Sequence, residues 1–155
     1  MRLTKANSGG GGGGLSGTGV AGEIAFFSAA AVLTSNSNLA WDNTNRLFTV
    51  SGRVRASQGA DVSSANDLTL GVDGNFFKIT GNTQINGIAT TNWIAGNCIT
   101  LLFSGAPTVK HNTAAGAGFA SLYLAGGADF SATADDLLTL VYDGTVWRET
   151  ARTVV

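Results

Sequence analysis

Three groups of residues in this sequence could support chemistry, and the first is a glycine motif near its start. Gly17, Gly19 and Gly22 form the pattern G-x-G-x-x-G, and Asp42 follows where a dinucleotide-binding fold places its ribose-binding carboxylate. That function needs a buried strand before the motif and a helix that begins at its last glycine. Six consecutive glycines, residues 9–14, precede the motif instead, and the apolar segment EIAFFS after it favours a strand. We therefore expect a loop that leads into a strand, with no nucleotide site.

The second group consists of the nucleophile and the carboxylates. Cys98 and His111 are the only cysteine and histidine, so a Cys-His pair is formally available. A small thiol before the apolar run ITLLF is more often a packing residue, and one Cys with one His cannot form a zinc site.

Carboxylates near the end of the chain could serve glycoside hydrolysis or calcium binding. They are Asp135, Asp136, Asp143 and Glu149. Asp135 and Asp136 precede an apolar run, and Asp143 belongs to an Asp-Gly pair, so turn formation accounts for these three aspartates. We expect no catalytic residue, no metal and no cofactor.

The third group is aromatic. Trp93 and Trp147 are candidates for stacking on a sugar ring, as is Trp41, although tryptophans more often fill a core or a subunit interface. A carbohydrate-binding module using these rings is therefore an alternative to a purely structural protein.

Composition narrows the class of protein. Charged residues make up 12% of the 155 residues, the net charge is −1, and 22 residues are glycine. No basic cluster of the kind that binds nucleic acid is present. The first eight residues, MRLTKANS, are not followed by an apolar segment, so we expect no secretory signal. No apolar run reaches the length of about 18 residues that a membrane span requires.

Short apolar runs between turn residues dominate the rest of the sequence. Most runs hold Ile, Val, Leu, Phe, Tyr and Thr and end at Gly, Asn or Asp, which is typical of short strands joined by tight turns. The pairs Asp73-Gly74 and Asp143-Gly144 predict hairpins with positive φ at both central residues. No helical periodicity is present. The sequence predicts an all-β protein with short strands, either a β-sandwich or an irregular β-prism.

Composition changes along the chain predict three segments. Residues 1–22 form an extended glycine-rich arm, residues 23–66 an N-terminal region of short strands, and residues 67–155 a C-terminal β domain.

Two stretches resemble virion appendage proteins of tailed bacteriophages. Residues 19–54, GVAGEIAFFSAAAVLTSNSNLAWDNTNRLFTVSGRV, resemble a segment of tail fibres in which an Ile-Ala-Phe-Phe strand is followed by Asn-Leu-x-Trp-Asp. The second stretch resembles a β-rich module of phage fibres and head fibres. Its shared features are Ile85-x-Gly87-Ile88, the Leu-x-Phe-x-Gly run at 101–105, Gly-Gly-Ala-Asp at 126–129, and Tyr-Asp-Gly-x-x-Trp-x-Glu at 142–149.

The resemblance implies a non-enzymatic structural protein of the virion, assembled in the host cytoplasm as an intertwined homotrimer. It implies a tail-fibre-like protein with a role in host attachment, or alternatively a capsid decoration protein. The expected partners are other copies of the chain, another virion protein and a host surface glycan. Because short strands with few charges provide little core, we expect trimer contacts at Phe26, Phe27, Trp41, Leu47 and Phe48. The arm is expected to anchor the protein through Arg2, Leu3, Lys5 and Leu15.

Overall fold

The computed structural model describes residues 23–29 and 32–155, with side chains from Asn38 onward. The predicted arm, with its glycine motif, lies outside the described residues, as do the side chains of Phe26 and Phe27. The described chain is all-β, as predicted, and its only helical segment is one 3₁₀ turn at Ala125–Gly127. It divides into two compact units, with the boundary in the sequence between Arg55 and Ala56. The described residues form thirteen strands: β1 (Glu23–Ala29), β2 (Val32–Asp42), β3 (Leu47–Val50), β4 (Val62–Ser63), β5 (Asp67–Leu68), β6 (Phe76–Thr80), β7 (Gly87–Ala89), β8 (Cys98–Phe103), β9 (Thr108–Val109), β10 (Phe119–Tyr123), β11 (Phe130–Ser131), β12 (Leu137–Tyr142) and β13 (Trp147–Thr153).

The N-terminal unit is a three-stranded antiparallel sheet in the order β1-β2-β3. Asp42 forms the turn between β2 and β3, because its Oδ1 accepts the N–H groups of Thr44 (2.8 Å) and Asn45 (3.1 Å). The Asn45 side-chain amide donates to the other carboxylate oxygen at 2.7 Å. These bonds, led by that amide, lower the pKa of Asp42. Asp42 is therefore a turn-forming residue.

The C-terminal unit begins with three coils that stack in parallel. They cover about residues 56–70, 76–89 and 98–111, with β4 parallel to β6 and β6 parallel to β8. On the opposite side β5 is parallel to β7, and Ile85 pairs in parallel with Val109. The first coil includes residues that the sequence analysis assigned to the N-terminal region, since 56–66 belong to the C-terminal unit. The sequence analysis predicted a β-sandwich or an irregular β-prism, whereas these coils are solenoid-like in their parallel stacking.

An eight-stranded sheet wraps the core of this unit, in the order β4-β6-β8-β12-β13-β10-β7-β5. Its two edge strands are separated in sequence by residues 64–66 alone, so the sheet must curl until its edges approach each other. The Ser64 N–H donates to the Thr80 carbonyl (2.7 Å), and the Asn86 N–H donates to the Asn66 carbonyl (2.7 Å). These bonds attach the short connection to β6 at one end and to the residue before β7 at the other. A two-stranded sheet of β9 and β11 completes the unit.

Strict alternation in the sheet places every second side chain in the core. In β6, β8 and β12 the inward positions are fully or almost fully buried: Phe77, Ile79, Ile99, Leu101, Phe103, Leu138, Leu140 and Tyr142. Ile85 and Ile88 are also completely buried, as expected for a winding β path.

The two Asp-Gly pairs behave differently. Asp143-Gly144 does lie in a hairpin, between β12 and β13, but only Gly144 has positive φ (96°). The Asp143 side chain holds this turn by accepting the N–H groups of Thr145 and Val146, both at 2.8 Å. The hairpin prediction at Asp73-Gly74 is wrong, because the flanking strands β5 and β6 pair with other strands.

Candidate functional site

The structure separates the two residues of the formal nucleophile pair. Cys98 begins β8 and is exposed, while His111 pairs in parallel with Leu122 of β10. In the sheet β12 and β13 lie between β8 and β10. The His111 ring is also engaged, since its Nδ1 accepts the Leu124 N–H at 3.0 Å. Cys98 and His111 therefore do not form a catalytic pair.

All but one of the carboxylates considered for hydrolysis or calcium binding accept hydrogen bonds from the protein itself, and the exception is Asp135. Asp136 is completely buried and accepts the Thr133 N–H (2.7 Å), the Thr133 hydroxyl (3.0 Å) and the Val155 N–H (2.9 Å). The N–H groups of Thr133 and Val155 lower the pKa of Asp136. Asp135 is exposed and adopts positive φ (71°).

The Glu149 carboxylate is also fully occupied by hydrogen bonds from the protein. Its side chain is 4% exposed, forms a two-point ion pair with Arg152 and accepts the Ala125 N–H at 2.8 Å. The Arg152 hydrogen bonds, opposed by burial, leave the pKa of Glu149 below its usual value. The Arg152 guanidinium in turn lies 4.2 Å from the centre of the Phe130 ring. Glu149 therefore links β13 to the segment after β10. Within the part of the chain that the structure describes, no group of three or more His, Cys, Asp or Glu side chains could hold a metal ion.

Trp147 was predicted as a ligand-stacking residue, and this prediction is wrong. Its side chain is 0% exposed, with ring centroids 5.6 Å from Trp93 and 5.1 Å from Tyr142. Both faces of a core indole are covered by protein, so no sugar can reach it. Trp93 is half-buried and packs against the same core, and the Nε1 atoms of both tryptophans are buried without an acceptor among the described residues.

The N-terminal unit presents an apolar surface, which we call the hairpin face: Leu39, Trp41, Phe48 and Val50. Leu39 lies opposite Val50, and Trp41 lies opposite Phe48, so the four side chains share one face of the β2-β3 hairpin. Trp41 is 42% exposed and Phe48 is 51% exposed. Leu47, also predicted at the trimer contact, pairs with Asp42 and lies on the other face.

A second surface, in the C-terminal unit, was missed by the sequence analysis. We call it the polar row: His111, Tyr123 and Arg148. The His111 and Tyr123 rings meet edge to face at 5.5 Å, and the Arg148 Cζ lies 5.2 Å from the centre of the Tyr123 ring. Tyr123 pairs with Arg148 across β10 and β13. No local motif marks this row, because Tyr123 and Arg148 come from β10 and β13 and His111 from the segment after β9.

Ion pairs border the polar row on two sides. Arg148 donates its Nε to Asp143, and Lys110 pairs with Asp129, which also accepts the His111 N–H at 2.8 Å. Lys110, more than the His111 N–H, lowers the pKa of Asp129. The pKa of Asp143 is lowered mainly by the Val146 and Thr145 N–H groups, with a smaller contribution from Arg148.

Comparisons of the chain with protein-family models, with curated proteins and with solved structures found no match. In the described residues, no helix has the length and apolar character needed to cross a membrane.

Proposed function

We propose that the chain is a non-enzymatic structural protein of a tailed-bacteriophage virion, a trimeric fibre-type protein that its N-terminal arm attaches to another virion protein. The sequence resemblance motivates the viral assignment. The hairpin face is the observation that most strongly supports self-association. The carboxylates of Asp136, Asp143 and Glu149 are occupied by hydrogen bonds from the protein, which favours a structural role.

The hairpin face needs a covering layer because a single sheet buries its apolar side only against another element. Residues 23–50 are too few to bury a core of their own, because chains below about 40 residues usually need disulfides, metals or oligomerisation to be stable. Among residues 38–50 the face carries two large aromatic side chains and no charge. Symmetry mates can cover such a surface without burying an unpaired charge.

The exposed area indicates how much association could gain. With about 150–250 Å² for a whole aromatic side chain, the exposed parts of Trp41 and Phe48 amount to about 200 Å² per chain. At about 25 cal/mol per Å², burying that area contributes about 5 kcal/mol per chain before the entropy of association is subtracted. This contribution is large enough to hold several copies together when neighbouring residues add to it.

Attachment through the arm follows from its composition. A glycine-rich segment has few side chains to bury, so ordering it requires backbone hydrogen bonds to a partner, as in strand addition. Arg2 and Lys5 would face acidic groups of that partner, while Leu3 and Leu15 would supply its apolar contacts.

Two measurements on virus particles test the assignment. Immunogold electron microscopy with an antibody against the chain should label the tail of purified particles. Labelling of the head would instead identify a capsid decoration protein, and labelling of neither would overturn the viral function. Deleting residues 2–14 should abolish incorporation into particles while the β units still fold. Normal incorporation of the deletion variant would show that the arm is not the anchor.

A further inference from the structure

The polar row has more hydrogen-bond donors than acceptors. The His111 Nδ1 accepts the Leu124 N–H, so the neutral imidazole carries its proton on Nε2. This Nε2–H, the Tyr123 hydroxyl and the two Nη groups of Arg148 have no acceptor among the described residues. A β-carbon on Gly127 would lie 4.0 Å from the His111 Nε2, so the glycine leaves that side of the ring uncrowded.

The two carboxylates beside the polar row do not provide hydrogen-bond acceptors for these donors. Asp143 already accepts two backbone N–H groups and the Arg148 Nε. Asp129 already accepts the His111 N–H and pairs with Lys110. A ligand that fits must therefore bring acceptor oxygens of its own. The guanidinium is best matched by a carboxylate, which its planar fork can bind at two points.

The distance between the outer donors of the polar row indicates what kind of molecule would carry the carboxylate. β10 lies between the segment of His111 and β13, since Leu122 forms a bridge with His111 on one side and pairs with Trp147 on the other. The outer donors therefore stand on backbone segments about 10 Å apart. A carboxylate alone cannot span that distance, whereas one or two pyranose rings can, with their hydroxyls at Tyr123 and His111.

We propose that the polar row of His111, Tyr123 and Arg148 binds an acidic saccharide, with the carboxylate at Arg148 and sugar hydroxyls at Tyr123 and His111. The inference is independent of trimer formation and of the viral function. The ion pair with Asp143 and the backbone bond at Leu124 fix Arg148 and His111 before binding, which reduces the side-chain entropy that a ligand would otherwise have to offset. The proposed ligand site therefore consists of polar side chains that are not fully buried and does not include the buried Trp147.

The test is a titration of the full chain with sodium glucuronate, followed by ¹H-¹⁵N and aromatic ¹H-¹³C NMR, with glucose and sodium acetate as parallel probes. Glucuronate should shift the signals of His111, Tyr123 and the Arg148 Nε, with a dissociation constant on the order of 1 mM for so open a site. Glucose and acetate should each bind several-fold more weakly. Equal shifts from glucose would overturn the proposal, because the carboxylate would then contribute nothing.

Equal binding of acetate would also overturn it, since the sugar would then contribute nothing. Absence of any shift at about 50 mM glucuronate, which is about 50 times the expected dissociation constant, would likewise overturn the proposal.

Three variants with one control separate binding from folding. Y123F removes only the hydroxyl, H111N keeps an acceptor for the Leu124 N–H but loses the Nε2 donor, and R148Q removes the charge. Each should weaken glucuronate binding about fivefold or more, because each removes a hydrogen bond to the ligand. The control K78Q removes another exposed charge, on β6, whose partner Asp61 is 4.0 Å away, and should leave binding unchanged. Unchanged binding in Y123F and H111N, with the spectrum of a folded protein, would overturn the proposal even if R148Q perturbed the hairpin turn.

Discussion

Replacing Asp136 by alanine should destabilise the C-terminal unit, because this buried carboxylate ties two separate segments to the sheet. It accepts three hydrogen bonds, two from Thr133 and one from the Val155 N–H, at 2.7–3.0 Å. A hydrogen bond to a charged group contributes about 1.5–3 kcal/mol, and the exposed partners regain water when it is lost. We therefore expect D136A to lower the free energy of unfolding by about 2–4 kcal/mol.

D136N tests the same reasoning more narrowly, since it preserves the volume. The amide can accept from Thr133 with its oxygen, but its NH₂ group then faces the Val155 N–H, so donor meets donor. We expect a loss of about 1–2 kcal/mol. The control is D61N, whose carboxylate is exposed and has Lys78 at 4.0 Å as its ion-pair partner, and which should change stability by less than about 0.5 kcal/mol.

The assay is equilibrium unfolding in urea, followed by the emission of Trp93 and Trp147 in the C-terminal unit. The buried Trp147 should report loss of the core directly. If D136A and D61N unfold at the same urea concentration, the carboxylate does not hold these segments and the account of its burial is wrong.

Two other predictions concern the same unit. Its melting temperature should fall as the pH drops below about 4, because carboxylates whose pKa values are lowered by folding stabilise the protein above their unfolded pKa and lose that effect as they protonate. These groups are Asp129, Asp136, Asp143 and Glu149. A melting temperature unchanged between pH 7 and pH 2.5 would contradict their roles. Gly105→Ala should cost about 2 kcal/mol or more, because a β-carbon there would overlap the Gly81 carbonyl oxygen. A urea midpoint of the C-terminal unit equal to that of the unsubstituted protein would refute the packing argument.

Local pattern was sufficient to predict the strands and the all-β class. β8 and β12 alternate apolar and polar residues and end at turn glycines, so their inward faces could be read from the sequence. The Asp143 hairpin was predictable for the same reason. The parallel coils were not, because Val62 pairs with Ile79 and Phe76 with Thr100, and nothing in a short window reports which strands will stack.

The surfaces were harder to predict than the fold. Trp147 and Tyr123 are both aromatic residues in apolar runs, and only the register of β10 and β13 places Trp147 inward and Tyr123 outward. The polar row depends on side chains that β10, β13 and the segment after β9 bring together, so no motif could have revealed it. Asp136 was noticed as a carboxylate, but its burial depends on its contacts with Thr133 and Val155.

Sedimentation equilibrium of the full chain at micromolar concentration tests the central proposal, self-association through the hairpin face, most directly. We predict a species of three times the 15.7 kDa chain mass. F48E should dissociate it, because a carboxylate cannot be buried there without a partner, whereas T49E, on the other face of the same strand, should leave the mass unchanged. A stable 15.7 kDa monomer, or a trimer that persists in F48E, would contradict the account.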